Sequence, residues 1–139
     1  MENIALDTNV VLDFLSTTRP QHGTAIALMQ ICQSSGVNLY VAATSLKDIY
    51  YILARSDGEP AARAAVRSIL DTMIILPVDD TCCRLALNNG EPDFEDGIIR
   101  AAAEIAQVDY LISRDARAFA GSRVPHISPA DALRELQRH

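Results

Sequence analysis

Residues 4–13 read Ile-Ala-Leu-Asp-Thr-Asn-Val-Val-Leu-Asp, two short apolar runs on either side of three polar residues. The apolar run at its start predicts a short buried strand, and the residues after Asn9 predict a helix. Asp7 therefore stands where a strand ends and a helix begins, which is also a common position for an N-cap. An N-cap and a functional carboxylate are equally good interpretations of Asp7 alone. Asp13 is interpreted as a solvated helix residue.

The same placement of an aspartate recurs at Asp48, Asp96 and Asp115, each near the start of a predicted helix. If the preceding apolar runs are parallel strands, their carboxyl ends share one edge of a sheet, where open sheets bind ligands. Four carboxylates about 5 Å apart repel by roughly 3 kcal/mol per pair at an effective dielectric near 20. Such a cluster needs shared protons or a divalent cation, and oxygen ligands select Mg²⁺ or Mn²⁺ over zinc.

Short apolar runs alternate with helical stretches along the whole chain, which predicts a parallel sheet covered on both faces. The predicted strands are 4–6, 39–42, 74–76, 110–112 and a weak edge strand at 124–127. The predicted helices are 10–15, 24–33, 44–55, 61–72, 79–87, 94–106 and a terminal helix capped by Ser128. We expect one α/β domain over residues 1–139, a three-layer α/β/α sandwich with a central parallel sheet of four to five strands.

Asp48 has a structural interpretation as well as a functional one. Thr44 or Ser45 is expected to cap its helix, which puts Asp48 in the first turn, where negative charge is favourable in any case. On the pattern alone, a structural role is the better interpretation of Asp48.

The segment before the sixth helix is unusually acidic, with Glu91, Asp93, Glu95 and Asp96 within six residues. Asp93 fits an N-cap and Asp96 fits the third helical position. Four acids exceed what one cap requires, so we favour a function for Asp96 and leave Asp93 as a cap or an auxiliary ligand.

The segment after the fourth strand is Ser113-Arg114-Asp115. Asp115 fits either a ligand or the cap of a short helix ending at Phe119. Ser113 supplies a hydroxyl, and Arg114 supplies a positive charge for a phosphate or for an ion pair.

The composition narrows the class of protein. The net charge is −6, which argues against a generic nucleic-acid binder but not against an enzyme whose acidic site binds metal. The three cysteines lack metal-ligand spacing and are expected to be reduced thiols in a cytoplasmic protein. The N-terminus lacks the pattern of a secretion signal, and no apolar run is long enough for a membrane span, so we expect no membrane partner.

Other sites for phosphate chemistry are disfavoured. The sequence has no glycine-rich phosphate loop and no nucleophile elbow, and its histidines are scattered. Receiver domains need a lysine late in the sequence, whereas the only lysine is Lys47. Haloacid-type phosphatases need a second aspartate two residues after the first, and Asn9 stands there.

Four segments of the chain resemble the motifs of the PIN-domain nucleases, in order and spacing. They are residues 7–13, 44–53, 93–103 and 109–119, so the resemblance spans almost the whole chain. It implies a parallel-sheet domain whose acidic cleft binds Mg²⁺ or Mn²⁺ and hydrolyses RNA. Many small members are similar to VapC-type toxins, which form homodimers and are blocked by a cognate antitoxin protein.

The resemblance also implies a role for each matching residue. Asp7, Asp48, Asp96 and Asp115 take the four catalytic acidic positions, with Asp7, Asp96 and Asp115 as metal ligands. Asn9, Asp93, Ser113 and Arg114 are supporting or substrate-binding residues. Two departures bear on metal binding: Asp48 is one methylene shorter than the glutamate common at its position, and Ala118 replaces an aspartate often found before the final phenylalanine.

The sequence therefore predicts a metal-dependent endoribonuclease, the toxin of a type II toxin–antitoxin pair. The alternative is a weakly active or inactive PIN-like domain that binds protein or RNA. Its support is Asp48, Ala118 and the acidic net charge.

Overall fold

A computed structural model describes residues 1–88 and 93–138 of the chain. Within these ranges, the strands are β1 (Asn3–Leu6), β2 (Asn38–Ala42), β3 (Ile74–Leu76), β4 (Tyr110–Ile112) and β5 (His126–Ile127). The helices are α1 (Thr8–Leu15), α2 (His22–Ser35), α3 (Ala43–Asp57), α4 (Glu59–Thr72), α5 (Asp80–Asn88), α6 (Phe94–Ala106) and α7 (Pro129–Gln137). No helix in the described ranges is long and apolar enough to cross a membrane.

The five strands form one sheet in the order β3-β2-β1-β4-β5, and every neighbouring pair is parallel. Successive side chains of a strand point to opposite faces, so the short apolar strands supply both layers of core. Ile4 and Leu6 of β1 pack into one core cluster, and Ala5 packs into the other. This confirms the predicted three-layer architecture with its central parallel sheet.

The strand order determines where a site can form. The chain leaves β1 toward β2 and β3, and it later returns to the other side of β1 as β4 and β5. The carboxyl ends of β1 and β4 therefore flank a topological switch point, where open α/β sheets bind ligands. The backbone N–H of Asp7 donates to the carbonyl of Ile112 at 3.0 Å, which joins the two strand ends directly.

A buried ion pair fixes α6 against its surroundings. The side chains of Arg100 and Glu104 form this pair, one helical turn apart, and both are almost fully buried. Arg100 also donates to the carbonyl of Leu85 on α5 at 3.2 Å, and Glu104 accepts from the backbone N–H of Arg123 at 2.7 Å. These contacts hold the helix that begins at the acidic segment.

Most element boundaries match the sequence prediction, with two instructive differences. Gly58, with φ of 92°, is the only residue between α3 and α4, where a longer turn is predicted. Glycine reaches this positive φ without a Cβ clash, so one residue suffices for the change in direction. The predicted short helix ending at Phe119 is wrong: residues 116–120 form turns. The predicted weak strand at the sheet edge is confirmed as β5.

Candidate active site

A cleft of about 690 Å³ lies at the carboxyl edge of the sheet. The side chains of Asp7, Asp48, Asp96 and Asp115 all line it. They come from four separate parts of the chain: the end of β1, the helix α3, the first turn of α6 and the segment after β4. The fold thus brings together the four aspartates that the sequence pattern singles out.

Asp7 is the N-cap of α1, which confirms one of its two interpretations, and it also lines the cleft. Its Oδ1 accepts from the backbone N–H of Thr8 at 2.8 Å, and its Oδ2 accepts from the Ser113 hydroxyl at 2.8 Å. The residue is only 6% exposed. Burial raises the pKa of Asp7, and the hydrogen bonds from Ser113 and Thr8 oppose that rise. Asp7 is therefore a carboxylate held in place by neutral donors.

Ser113 connects Asp7 to Asp115. Its hydroxyl donates to Asp7 and accepts from the backbone N–H of Asp115 at 3.0 Å. Asp115 itself is exposed, and its Oδ1 accepts from the backbone N–H of Ala118 at 3.1 Å. Asp115 therefore caps a turn, in place of the predicted helix, while its side chain lines the cleft.

Asp96 occupies the third position of α6, as predicted, and Asp93 is the N-cap of that helix. The Asp93 side chain accepts from the backbone N–H of Glu95 at 2.9 Å. Burial raises the pKa of Asp96 to about 6, with further contributions from the negative charges of Asp7, Asp93, Asp115 and Glu95. These carboxylates are close enough to repel one another. Glu91 of the acidic segment lies outside the described residues.

Asp48 lies deeper in its helix than predicted. The helix α3 begins at Ala43 without a side-chain cap, so the expected caps at Thr44 and Ser45 are wrong and Asp48 lies in the second turn. The Asp48 carboxylate lies beside that of Glu95 and forms an ion pair with Lys47 at 3.4 Å. The charge of Asp48 is the largest cause of the raised pKa of Glu95. Two carboxyl groups, from α3 and α6, therefore lie next to each other in the cleft.

The prediction that Asp13 is a solvated helix residue is wrong. Its side chain is 3% exposed and accepts from Arg19 and from Arg114, each through Nε at 2.8 Å. Of the two roles left open for Arg114, the structure shows the ion pair. Asn9, predicted as a supporting residue, lines the cleft and accepts from Arg19 at 3.3 Å.

The donor set of the cleft is suited to a hard cation, because the acidic groups offer oxygen ligands alone. Among the described residues, no three His, Cys, Asp or Glu side chains stand close enough together to enclose an ion by themselves. Mg²⁺ commonly keeps several waters and takes only one or two carboxylates. A positive charge bound in the cleft would relieve the mutual repulsion at Asp96. The residues therefore fit an ion held partly through water.

Several residues of the cleft are absent from the sequence prediction. On α3 they are Thr44, Ser45, Lys47, Tyr51 and Ile52, and on α6 they include Phe94 and Glu95. The hydroxyls of Thr8 and Ser45 hydrogen-bond at 2.8 Å, which ties α1 to α3 beside Asp7. The spacing of Ser45, Asp48 and Ile52 on one helical face was the available signal, since residues three and four apart are neighbours.

The sequence profile of the PIN domain matches residues 3–117 of the chain. This range contains every aspartate that lines the cleft. A comparison with curated proteins gives no match.

Solved structures of similar fold include three from bacterial toxin–antitoxin systems. VapC20 of Mycobacterium tuberculosis, a toxin that cleaves the sarcin–ricin loop, is 20% identical, with 86% of this chain and 95% of that chain covered and a TM-score of 0.69. A toxin–antitoxin complex from Klebsiella pneumoniae is 19% identical, with coverage of 91% and 97% and a TM-score of 0.68. VapBC2 of Rickettsia felis, bound to promoter DNA, is 10% identical, with coverage of 91% and 98% and a TM-score of 0.70. At these identities the likeness is one of fold.

Proposed function

The chain belongs to the PIN-domain family, and we propose that it is a Mg²⁺- or Mn²⁺-dependent endoribonuclease acting in the cytoplasm. The observation that carries the proposal is the convergence of Asp7, Asp48, Asp96 and Asp115 on one cleft at the switch point of the sheet. Mutually repelling carboxylates lower stability unless a cation is bound, so their presence together in one cleft supports a metal-dependent reaction.

Asp7, Asp96 and Asp115 would hold the ion, partly through bridging water molecules. A bound ion lowers the pKa of a water and neutralises charge on the scissile phosphate. We assign Asp48 either to the ion or to the orientation of the attacking water, together with its partner Glu95. In-line attack forms a bond from the water oxygen to phosphorus and breaks the bond to the 3′ oxygen. The products are a 3′-hydroxyl and a 5′-phosphate.

The proposal is tested by RNA cleavage with Asp7→Asn and Asp96→Asn. Each substitution removes a negative charge at nearly constant volume, and we expect a loss of about a thousandfold or more in the Mg²⁺-dependent rate. Asp71→Asn is the matched control, because Asp71 is exposed on α4 and does not line the cleft. The readout is cleavage of a mixed-sequence single-stranded RNA, with circular dichroism to verify folding.

Wild-type activity in both folded cleft variants would overturn the catalytic assignment. A folded wild type that leaves RNA intact in Mg²⁺ and in Mn²⁺ would favour the alternative, a PIN-like binding module. One observation supports that alternative: the shorter Asp48 side chain is already engaged by Glu95 and Lys47.

We further propose that the protein is the toxin of a type II pair, with a cognate antitoxin and a homodimeric state. The fold shared with chains from toxin–antitoxin complexes supports this assignment. Co-expression with the product of a neighbouring small gene, followed by size-exclusion chromatography, tests both partners. Elution of the protein as a monomer without the co-expressed product would contradict both the antitoxin partner and the homodimer.

A further inference from the structure

Two arginines beside the cleft share one buried carboxylate. Arg19 donates Nε to Oδ1 of Asp13 at 2.8 Å. Arg114 donates Nε to Oδ2 at 2.8 Å and Nη2 to Oδ1 at 3.3 Å. The Asp13 side chain is 3% exposed, whereas those of Arg19 and Arg114 are 29% and 40% exposed. The carboxylate is thus an internal anchor, and the two guanidinium groups reach solvent.

The shared oxygen sets the arrangement of the two cations. Both guanidinium groups contact Oδ1 of Asp13, so they lie side by side. Two positive charges face one negative charge, which leaves the cluster with a net charge of +1. Guanidinium groups fixed in this way match the oxygens of a phosphate with little further loss of conformational freedom. We call Arg19 and Arg114 the arginine pair.

The arginine pair borders the acidic cleft. Arg19 donates to Asn9, which lines the cleft, and Arg114 is the immediate neighbour of Asp115. The positive charge of Arg114 acts on the Asp7 carboxyl group, where it opposes the rise in pKa. A nucleic-acid strand with a phosphate at the cleft would carry a neighbouring phosphate toward this edge.

We propose that the arginine pair, held by Asp13, binds an RNA backbone phosphate adjacent to the one that is cut. The inference rests on the proposed ribonuclease function. The charge balance of the cleft favours it: among the described lining residues, six are carboxylates and Lys47 is the single cation. RNA is a polyanion and requires positive charge near an acidic cleft. The arginine pair supplies that charge at the rim of the cleft.

One positive charge is enough to neutralise the buried Asp13 carboxylate, so a purely structural role does not account for both arginines. Arg114 alone already contacts both oxygens of Asp13. Arg114 is therefore sufficient as a partner for the buried carboxylate. The guanidinium group of Arg19 is a second positive charge at the rim of the cleft.

The test compares Arg19→Gln and Arg114→Gln with Arg67→Gln, which removes the same charge from an exposed site on α4. The probe is a fluorescein-labelled single-stranded RNA of mixed sequence, with binding followed by anisotropy in Ca²⁺ across a range of KCl concentrations. We expect each cleft-side variant to bind about tenfold more weakly, as for the loss of a charge-assisted hydrogen bond. The slope of log affinity against log salt should fall by about 0.7 for each lost phosphate contact.

Two further measurements separate a phosphate contact from a structural contact. Arg19→Lys keeps the positive charge at this position. Its slope of log affinity against log salt should therefore equal that of the wild type, even if its affinity for RNA is lower. In the Mg²⁺ cleavage assay, the effect of Arg19→Gln should fall on KM, and Arg67→Gln should match the wild type.

The inference is overturned if Arg19→Gln and Arg114→Gln keep the affinity and slope of the wild type, or if the wild type does not bind the RNA. Lower urea stability in these variants, without a change in RNA binding, would also overturn it in favour of a structural clamp. RNA binding that depends on the pair, in a protein that does not cleave RNA, would instead refute the proposed function and leave the phosphate site standing.

Discussion

Asp7 and Asp13 stand six residues apart at the two ends of the same short helix, and both are buried, yet their surroundings differ in charge. Asp7 accepts from a serine hydroxyl and a backbone N–H, both neutral. Asp13 accepts from two arginines. Neutral donors hold the Asp7 carboxylate, whereas two cations of the protein itself neutralise the Asp13 carboxylate. Asp7 lies in the cleft beside further carboxylates, whose charges raise the pKa of Asp96.

The largest expected effect on stability is at Asp13. Asp13→Asn removes the partner of two cations, and breaking a buried ion pair costs about 3–5 kcal/mol. Because both arginines reach water, we expect the lower end of this range, about 3 kcal/mol. Asp7→Asn keeps an oxygen for the Thr8 N–H and removes repulsion, so its effect should stay within about 1 kcal/mol.

Urea unfolding of both variants at neutral pH, without divalent ions, measures this difference. Equal losses of unfolding free energy at the two positions would show that neutral donors stabilise a buried carboxylate as well as arginines do. The proposed difference between Asp7 and Asp13 would then be wrong.

A cation should stabilise the cleft but not the Asp13 cluster. Mg²⁺ at roughly ten times its dissociation constant is expected to add about 1.4 kcal/mol to the free energy of unfolding. Asp96→Asn should abolish this gain, whereas Asp71→Asn should retain it. Thermal unfolding across a Mg²⁺ titration provides the measurement. If the melting temperature of the wild type does not change at millimolar Mg²⁺, the cleft does not bind the ion, and a role as a binding module is favoured.

The smallest expected effect is the pH dependence at Asp96. Its pKa is raised from 3.8 to about 6, so the folded state holds the proton more tightly than the unfolded state. The resulting stabilisation is complete below about pH 4 and is lost as the pH rises through about 6. Asp96→Asn cannot ionise and should therefore gain on the wild type as the pH rises. After allowance for solvent screening at this partly exposed site, the gain at neutral pH is about 1 kcal/mol.

Urea unfolding of the wild type and Asp96→Asn at about pH 4 and pH 7, in EDTA, gives the two stability differences. A constant difference would show that the Asp96 carboxyl group titrates alike in the folded and unfolded states.

The sequence was sufficient for the fold because alternating short strands and helices have few solutions other than a covered parallel sheet. The same pattern of strand ends and helix starts pointed to Asp7, Asp96 and Asp115, whereas Asp48 lies in the second turn of α3 and was indicated by the resemblance to the PIN-domain nucleases. The surroundings of Asp13 were out of reach, since Arg114 is 101 residues away along the chain. The Asp48–Glu95 pair was likewise hidden, because it depends on how α3 and α6 face each other. Local pattern predicts elements, whereas partners depend on tertiary packing.

The position of β1 in the middle of the sheet has a consequence for how the cleft adjusts. Asp7 follows a strand braced on both sides, so amide hydrogens of β1 should exchange with solvent only through global unfolding. Asp115 follows β4 in a segment of turns held by side-chain contacts, where exchange through local opening is expected. The side of the cleft that follows β1 is therefore rigid. Any change of shape around a substrate is expected on the side that follows β4.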